Sequence, residues 1–130
     1  MRTEIYDYID GLSKTGFTLS SALPWTADGV ALYQKNFKTI YVDMDNVTHD
    51  TILSTLDGAT FENETTTVRV YFTTDAKQLP SNYETLVSAI REARNIDTIT
   101  GVTQRQSDVT RTFEADAMVT EIEFRFTKLI

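Results

Sequence analysis

The sequence predicts an α+β fold: a mostly antiparallel sheet with two helices packed on one face and a long C-terminal β-hairpin. Three observations carry that prediction. In the run TTTVRVYF at 65–72, Val68, Val70 and Phe72 alternate with Thr67, Arg69 and Tyr71, the period of a strand buried on one side. Downstream, Tyr83, Leu86, Val87 and Ile90 recur at i, i+3, i+4 and i+7, so they form one stripe of a helix that can lie on that strand's apolar face. At the end of the chain, MVTEIEFRFTKLI turns Met118, Thr120, Ile122, Phe124 and Phe126 to one side and Glu121, Glu123, Arg125 and Thr127 to the other.

Composition bounds the rest. At 130 residues the chain fits one domain, 1–130, with a core of its own and no need of staples. No apolar run approaches the roughly 20 residues a helix needs to cross a bilayer, and the acids in MRTEIYDYID are unlike a secretory signal; no membrane contact is expected. Zero cysteines exclude disulfides, thiolate metal sites and a cysteine nucleophile, and they fit synthesis in a reducing cytoplasm. The net charge of −7 is uneven: residues 1–65 hold ten acids and four bases, a balance of −6, while 66–130 hold nine acids and eight bases, a balance of −1. Affinity for nucleic acid comes mainly from neutralising phosphates, so an acidic chain without a Lys/Arg run is not expected to grip DNA.

Taken in order, residues 3–13 read as an amphipathic helix with Ile5, Tyr8, Ile9 and Leu12 on its apolar stripe and Gly16 available to end it. Asp28-Gly29, between two segments of strand character, suits the positive φ angles of a tight hairpin. Trp25, the only tryptophan, stands just before that turn and suits a core-sealing role more than an interface anchor, though tryptophan serves both. Residues 37–45 form the next expected strand, with Ile40, Val42 and Met44 on one face and Tyr41, Asp43 and Asp45 on the other. Residues 46–64, rich in Thr, Asn, Asp and Glu, lack strong periodicity and read as a long excursion, with a brief helical turn at Ile52, Leu53 and Leu56 and ordering by a partner. Ser81 and Glu84 have the spacing of a capping box, which starts the second helix near Asn82. Residues 95–101 turn the chain into 102–112, VTQRQSDVTRT, a very polar strand expected largely outside the core, and 114–117 turn it back into the final strand. A long polar arm paired to a core strand leaves an edge to be covered, and subunit contact is a natural use of it.

One stretch invites catalysis. IYVDMDNV resembles the first motif of haloacid-dehalogenase-type phosphatases, which implies Asp43 as nucleophile, Asp45 as acid/base and Mg²⁺ between them. The rest of the chain departs from that family: 42 residues precede Asp43, no later acidic pair completes a metal site, and the segment after Arg94 is antiparallel in character rather than βαβ. His49 and Asp50 follow closely, but Asp43, Asp45 and Asp50 lack the spacing of a calcium loop, and no metal or cofactor is expected.

The whole order, carried by TTTVRVYFTT, YETLVSAIREAR and ITGVTQRQSDVTRTFEADAMVTEIEFRF, resembles the tail terminator (tail completion) family of long-tailed bacteriophages over nearly the full chain. That resemblance implies a non-enzymatic virion protein. It would form a hexameric ring that caps the tail tube, meet the tube protein on one side and a head-completion or connector protein on the other, and let DNA pass through the lumen without tight binding. Asp43, Asp45, Glu62 and Glu64 are the candidates to face that lumen, since acids repel phosphate. Arg105, Arg111 and Trp25 are the subunit-interface candidates, arginine being favoured at interfaces over lysine.

Overall fold

The computed structural model of the protein describes residues 1–23, 37–54, 56, 58 and 60–130; Trp25 and the hairpin expected about Asp28-Gly29 lie outside them. The described chain runs α1 (Arg2–Asp10), β1 (Thr18–Leu19), β2 (Thr39–Val42), β3 (Asn46–Ser54), β4 (Thr60–Asp75), α2 (Tyr83–Arg91), a 3₁₀ turn (Glu92–Asn95), β5 (Gln104–Glu114) and β6 (Ala117–Leu129). Six strands form one sheet in the order β1-β2-β4-β6-β5, and β3 pairs with β4 beyond β2, on the same edge. Among the named strand pairs the short β1–β2 contact is parallel and the others run antiparallel, so the α+β class read from the sequence holds.

β4 is the spine. Its 16 residues pair with β6 from Asn63 to Asp75, which matches Val68 with Phe124, Val70 with Ile122 and Phe72 with Thr120. Those side chains are buried and face the helices, as the alternation predicted. Ile5 and Ile9 of α1 and Tyr83, Leu86, Val87 and Ile90 of α2 complete the same core. Phe72 links the layers through edge-on contacts with Phe17 and Tyr83, at centroid distances of 5.5 and 5.9 Å. The opposite face of the sheet carries a charge ladder instead. Arg69 on β4 bridges Glu121 and Glu123 of β6 at 3.0 and 3.1 Å, and Arg125 joins Glu123 to Asp108 of β5 at 3.2 and 3.0 Å. Glu123 and Asp108 stand directly opposite each other on β6 and β5, and Arg69 and Arg125 offset the repulsion between them by bridging the acids on that face.

Four expectations need correction. α1 stops at Asp10 with Gly11 after it, five residues short of Gly16; Gly16, at φ 83°, belongs to the following turn. The strand expected over 37–45 is reduced to β2, where Tyr41 is buried along with Ile40 and Val42 rather than facing out, and Met44, expected inward, is exposed. Residues 46–64 are neither an irregular excursion nor a helical turn: β3 and the first part of β4 pair into a hairpin, with a register shift between Thr51 and Leu53. Exposure on both faces of that ribbon removes the alternation by which a half-buried strand is recognised. At α2, the helix starts where expected, but Asn82 occupies the cap without a side-chain cap bond; its amide instead donates to the Thr15 carbonyl at 2.9 Å, tying the α1–β1 connection to α2.

Candidate assembly surface

β3 and β4 project past the rest of the sheet. The last ladder contacts of β6 with β4 pair Leu129 with Asn63, and Ile130 exchanges both backbone hydrogen bonds with Glu62 at 2.9 and 3.2 Å. Beyond Glu62 the described part of the ribbon has only its own two strands. Ile52, Leu56 and Phe61 stand exposed along it, and Val47, Leu129 and Ile130 stand exposed at its root. Scattered apolar side chains on a surface need no explanation, but six on one two-stranded projection and its base mark a surface suited to contact. On the helix-side face of the same ribbon, Glu64 lies 3.2 Å from Lys128 and 3.1 Å from His49. The Lys128 hydrogen bond, then that of His49, holds the Glu64 carboxyl below its ordinary pKa against the opposing effect of burial.

The four lumen candidates do not form one cluster. Asp43 follows β2, its N–H donating to the Arg69 carbonyl at 2.8 Å, whereas Glu62 lies seven residues along β4 from Arg69, about 24 Å at strand rise. Asp45 is engaged inside the fold. Its Oδ2 accepts from the Met1 ammonium and its Oδ1 from the Arg2 N–H, each at 2.7 Å, so it caps the start of α1 from a distant part of the chain. Burial acts to lower the pKa of that ammonium, but the Asp45 hydrogen bond and charge, with Glu4 3.3 Å away, outweigh it and leave the pKa raised. Arg2 completes the joint by donating through Nε to the Val42 carbonyl at 2.8 Å. As the acid/base of a phosphatase, Asp45 would have to give up two strong hydrogen bonds. Among the described residues, no group of three or more His, Cys, Asp or Glu is placed to hold a metal ion.

Two interface candidates are also occupied within the chain. Arg105 donates to the carbonyls of Arg94 and Ile96 at 3.0 and 3.1 Å and to that of Ile99, so it clasps the segment after α2 onto β5. Arg111 donates through Nε to the Tyr83 hydroxyl at 3.0 Å, lies over the Tyr83 ring at 5.6 Å and reaches Glu84 at 3.7 Å. Tyr83, 1% exposed, shares a further hydrogen bond of 2.7 Å with the Thr120 hydroxyl, so a polar chain crosses from α2 through the core to β5. The third candidate, Trp25, lies outside the described residues.

The stripe of Tyr83, Leu86, Val87 and Ile90 leaves Arg91 and Arg94 off the apolar face, yet both converge on Ser107 of β5. Arg91 reaches the Ser107 hydroxyl at 3.4 Å and its carbonyl at 3.2 Å, and Arg94 reaches the hydroxyl at 3.3 Å. Their three-residue spacing sets them side by side on a helix, which is the signal that marks them. Two larger recesses flank the helices: one of about 520 Å³ bounded by Phe37, Lys38, Asp75 and residues 78–81, and one of about 290 Å³ between Leu12, Thr15, Asn82, Leu86 and Ala89. Neither gathers groups with an evident chemistry. No protein-family model matches the chain, and a search of curated proteins returns no match either.

Proposed function

We propose that the chain is a structural, non-enzymatic virion protein that assembles into a ring, capping a phage tail tube and joining it to the head. The observation that carries the proposal is the β3–β4 ribbon, which projects beyond the sheet with Ile52, Leu56 and Phe61 exposed. A solitary two-stranded ribbon is marginally stable in water, and covering its apolar residues against a neighbouring subunit gives it a reason to persist. The element order supports the same reading: N-terminal helix, strand, helix and long C-terminal hairpin are the features on which the resemblance to tail terminators rests. In such a ring, six copies at −7 would bring −42, and an acidic lumen would let DNA pass without sticking. Asp43 is a lumen candidate with few commitments inside the fold, its Oδ1 accepting from the Met44 N–H at 2.7 Å.

Negative-stain microscopy of the purified chain tests the proposal: rings with a central opening are expected, and discrete particles of single-chain size at every concentration would sink it. The phosphatase alternative has its own test, because Mg²⁺-dependent turnover of a generic phosphate ester, lost in Asp43→Asn, would overturn the structural role.

A further inference from the structure

Arg91, Arg94 and Arg105 surround Ser107, and none has a carboxylate in bidentate contact. Arg105 is satisfied by backbone carbonyls. Arg91 and Arg94 are held against Ser107, which is buried and neutral. Among the described residues the carboxylate in reach is that of Glu92, which stands 3.7 Å from Arg94 and is itself 55% exposed. Three cations against one anion leave a local balance of +2 on a chain whose total is −7. The C-terminal end of a helix favours positive charge, which explains why these arginines are tolerated there. It does not supply a charged partner. Between Ser88, Arg91, Glu92 and Arg94 the surface forms a recess of about 120 Å³, room for a carboxylate to enter and accept two parallel N–H bonds from a guanidinium.

The chain carries a suitable carboxylate that it cannot deliver to its own recess. Glu62 lies on the helix-side face of the ribbon, since it shares the parity of Thr66 and Val68 on β4, and among the described residues no Lys, Arg or His forms an ion pair with it. Arg105 pairs with Phe126, which pairs with Thr66, so Glu62 sits four residues along and two strands across from the cluster. Those steps are about 14 Å and about 10 Å, too far for contact within one molecule. We infer that the recess at the end of α2 receives Glu62 from the β3–β4 ribbon of a second copy of this chain. The inference rests on the ring proposed above and names one contact of its subunit interface. Charge complementarity selects the occupant: the Glu62 carboxylate on the ribbon meets the one arginine cluster beside a recess among the described residues.

Charge exchange on the full-length chain, followed by sedimentation velocity, provides the test. Glu62→Arg and the pair Arg91→Glu with Arg94→Glu should each weaken association at least about tenfold. Mixing the two variants, or combining all three changes in one chain, should restore it. Asp50→Lys, on the opposite face of the same ribbon, should have a much smaller effect. Circular dichroism checks that each variant is folded, and Arg91→Gln with Arg94→Gln replaces the reversed pair if that pair does not fold. Wild-type rings with association unmoved by the reversals, or lost and not restored by mixing and combining, would overturn the inference while leaving the ring intact. A wild-type chain that stays monomeric would overturn both.

Discussion

At the scale of single residues, two polar joints hold distant parts of the chain together, and each makes a prediction. Asp45 spans 43 residues to cap α1, so Asp45→Ala should cost about 1 kcal/mol, as the loss of a helix cap does, read as a lower urea midpoint at unchanged slope. Tyr83→Phe keeps the ring packed against Phe72 but deprives the buried Thr120 hydroxyl and the Arg111 guanidinium of a partner. A loss of about 1–2 kcal/mol follows from leaving such groups unsatisfied. Glu64 supplies a pH signature. Its folded pKa lies below its unfolded value of about 4.3, so its contribution is fully present above that value and is lost as pH falls through the lowered folded pKa. Glu64→Gln should therefore be less stable than wild type near neutrality, and the gap should close in acid. A gap that widens on acidification would contradict the sign.

Among the elements, β4 divides into two regimes. Its C-terminal part is buried between β2 and β6 under the helices, while its first residues pair in the described ribbon mainly with β3. Amide hydrogen exchange should follow that division, with residues 68–72 protected to near the global stability and 60–62 exchanging by local opening in the unassembled chain. The same division decides what the sequence makes legible. Wherever an element is buried on one side only, as with β6, α2 and the second half of β4, alternation or the helical stripe names the inward residues correctly. Among the described residues of the ribbon none is buried before Thr66, so its pattern is silent. Its signal is turn chemistry, an Asp-Gly pair at 57–58 with Gly58 at φ 89°, between two Thr-rich runs. The capping-box spacing at Ser81 and Glu84 misled because Asn82 caps the helix by position while its amide is bonded to Thr15. Asp45 was legible as an acid after a strand, but not as a cap, since its partners lie 43 and 44 residues away.

For the whole molecule, one face of the sheet is sealed by helices, the other is neutralised by the Arg69–Glu123–Arg125 ladder, and the apolar ribbon projects at one end. Surface that is not needed for folding can be altered without unfolding. Replacing Ile52, Leu56 and Phe61 together by Ser should leave the melting temperature of the monomer within a few degrees of wild type and abolish assembly, as checked by calorimetry and gel filtration. Equal loss of both would place the ribbon in the core energetics instead. The most direct test of a ring-forming role is the mass in solution, measured by light scattering over a broad concentration range. The predicted result is a rise from 14.7 kDa to a plateau at a closed multiple, about 88 kDa for six copies. A mass fixed at 14.7 kDa throughout, or one that grows without a plateau, would contradict a closed ring.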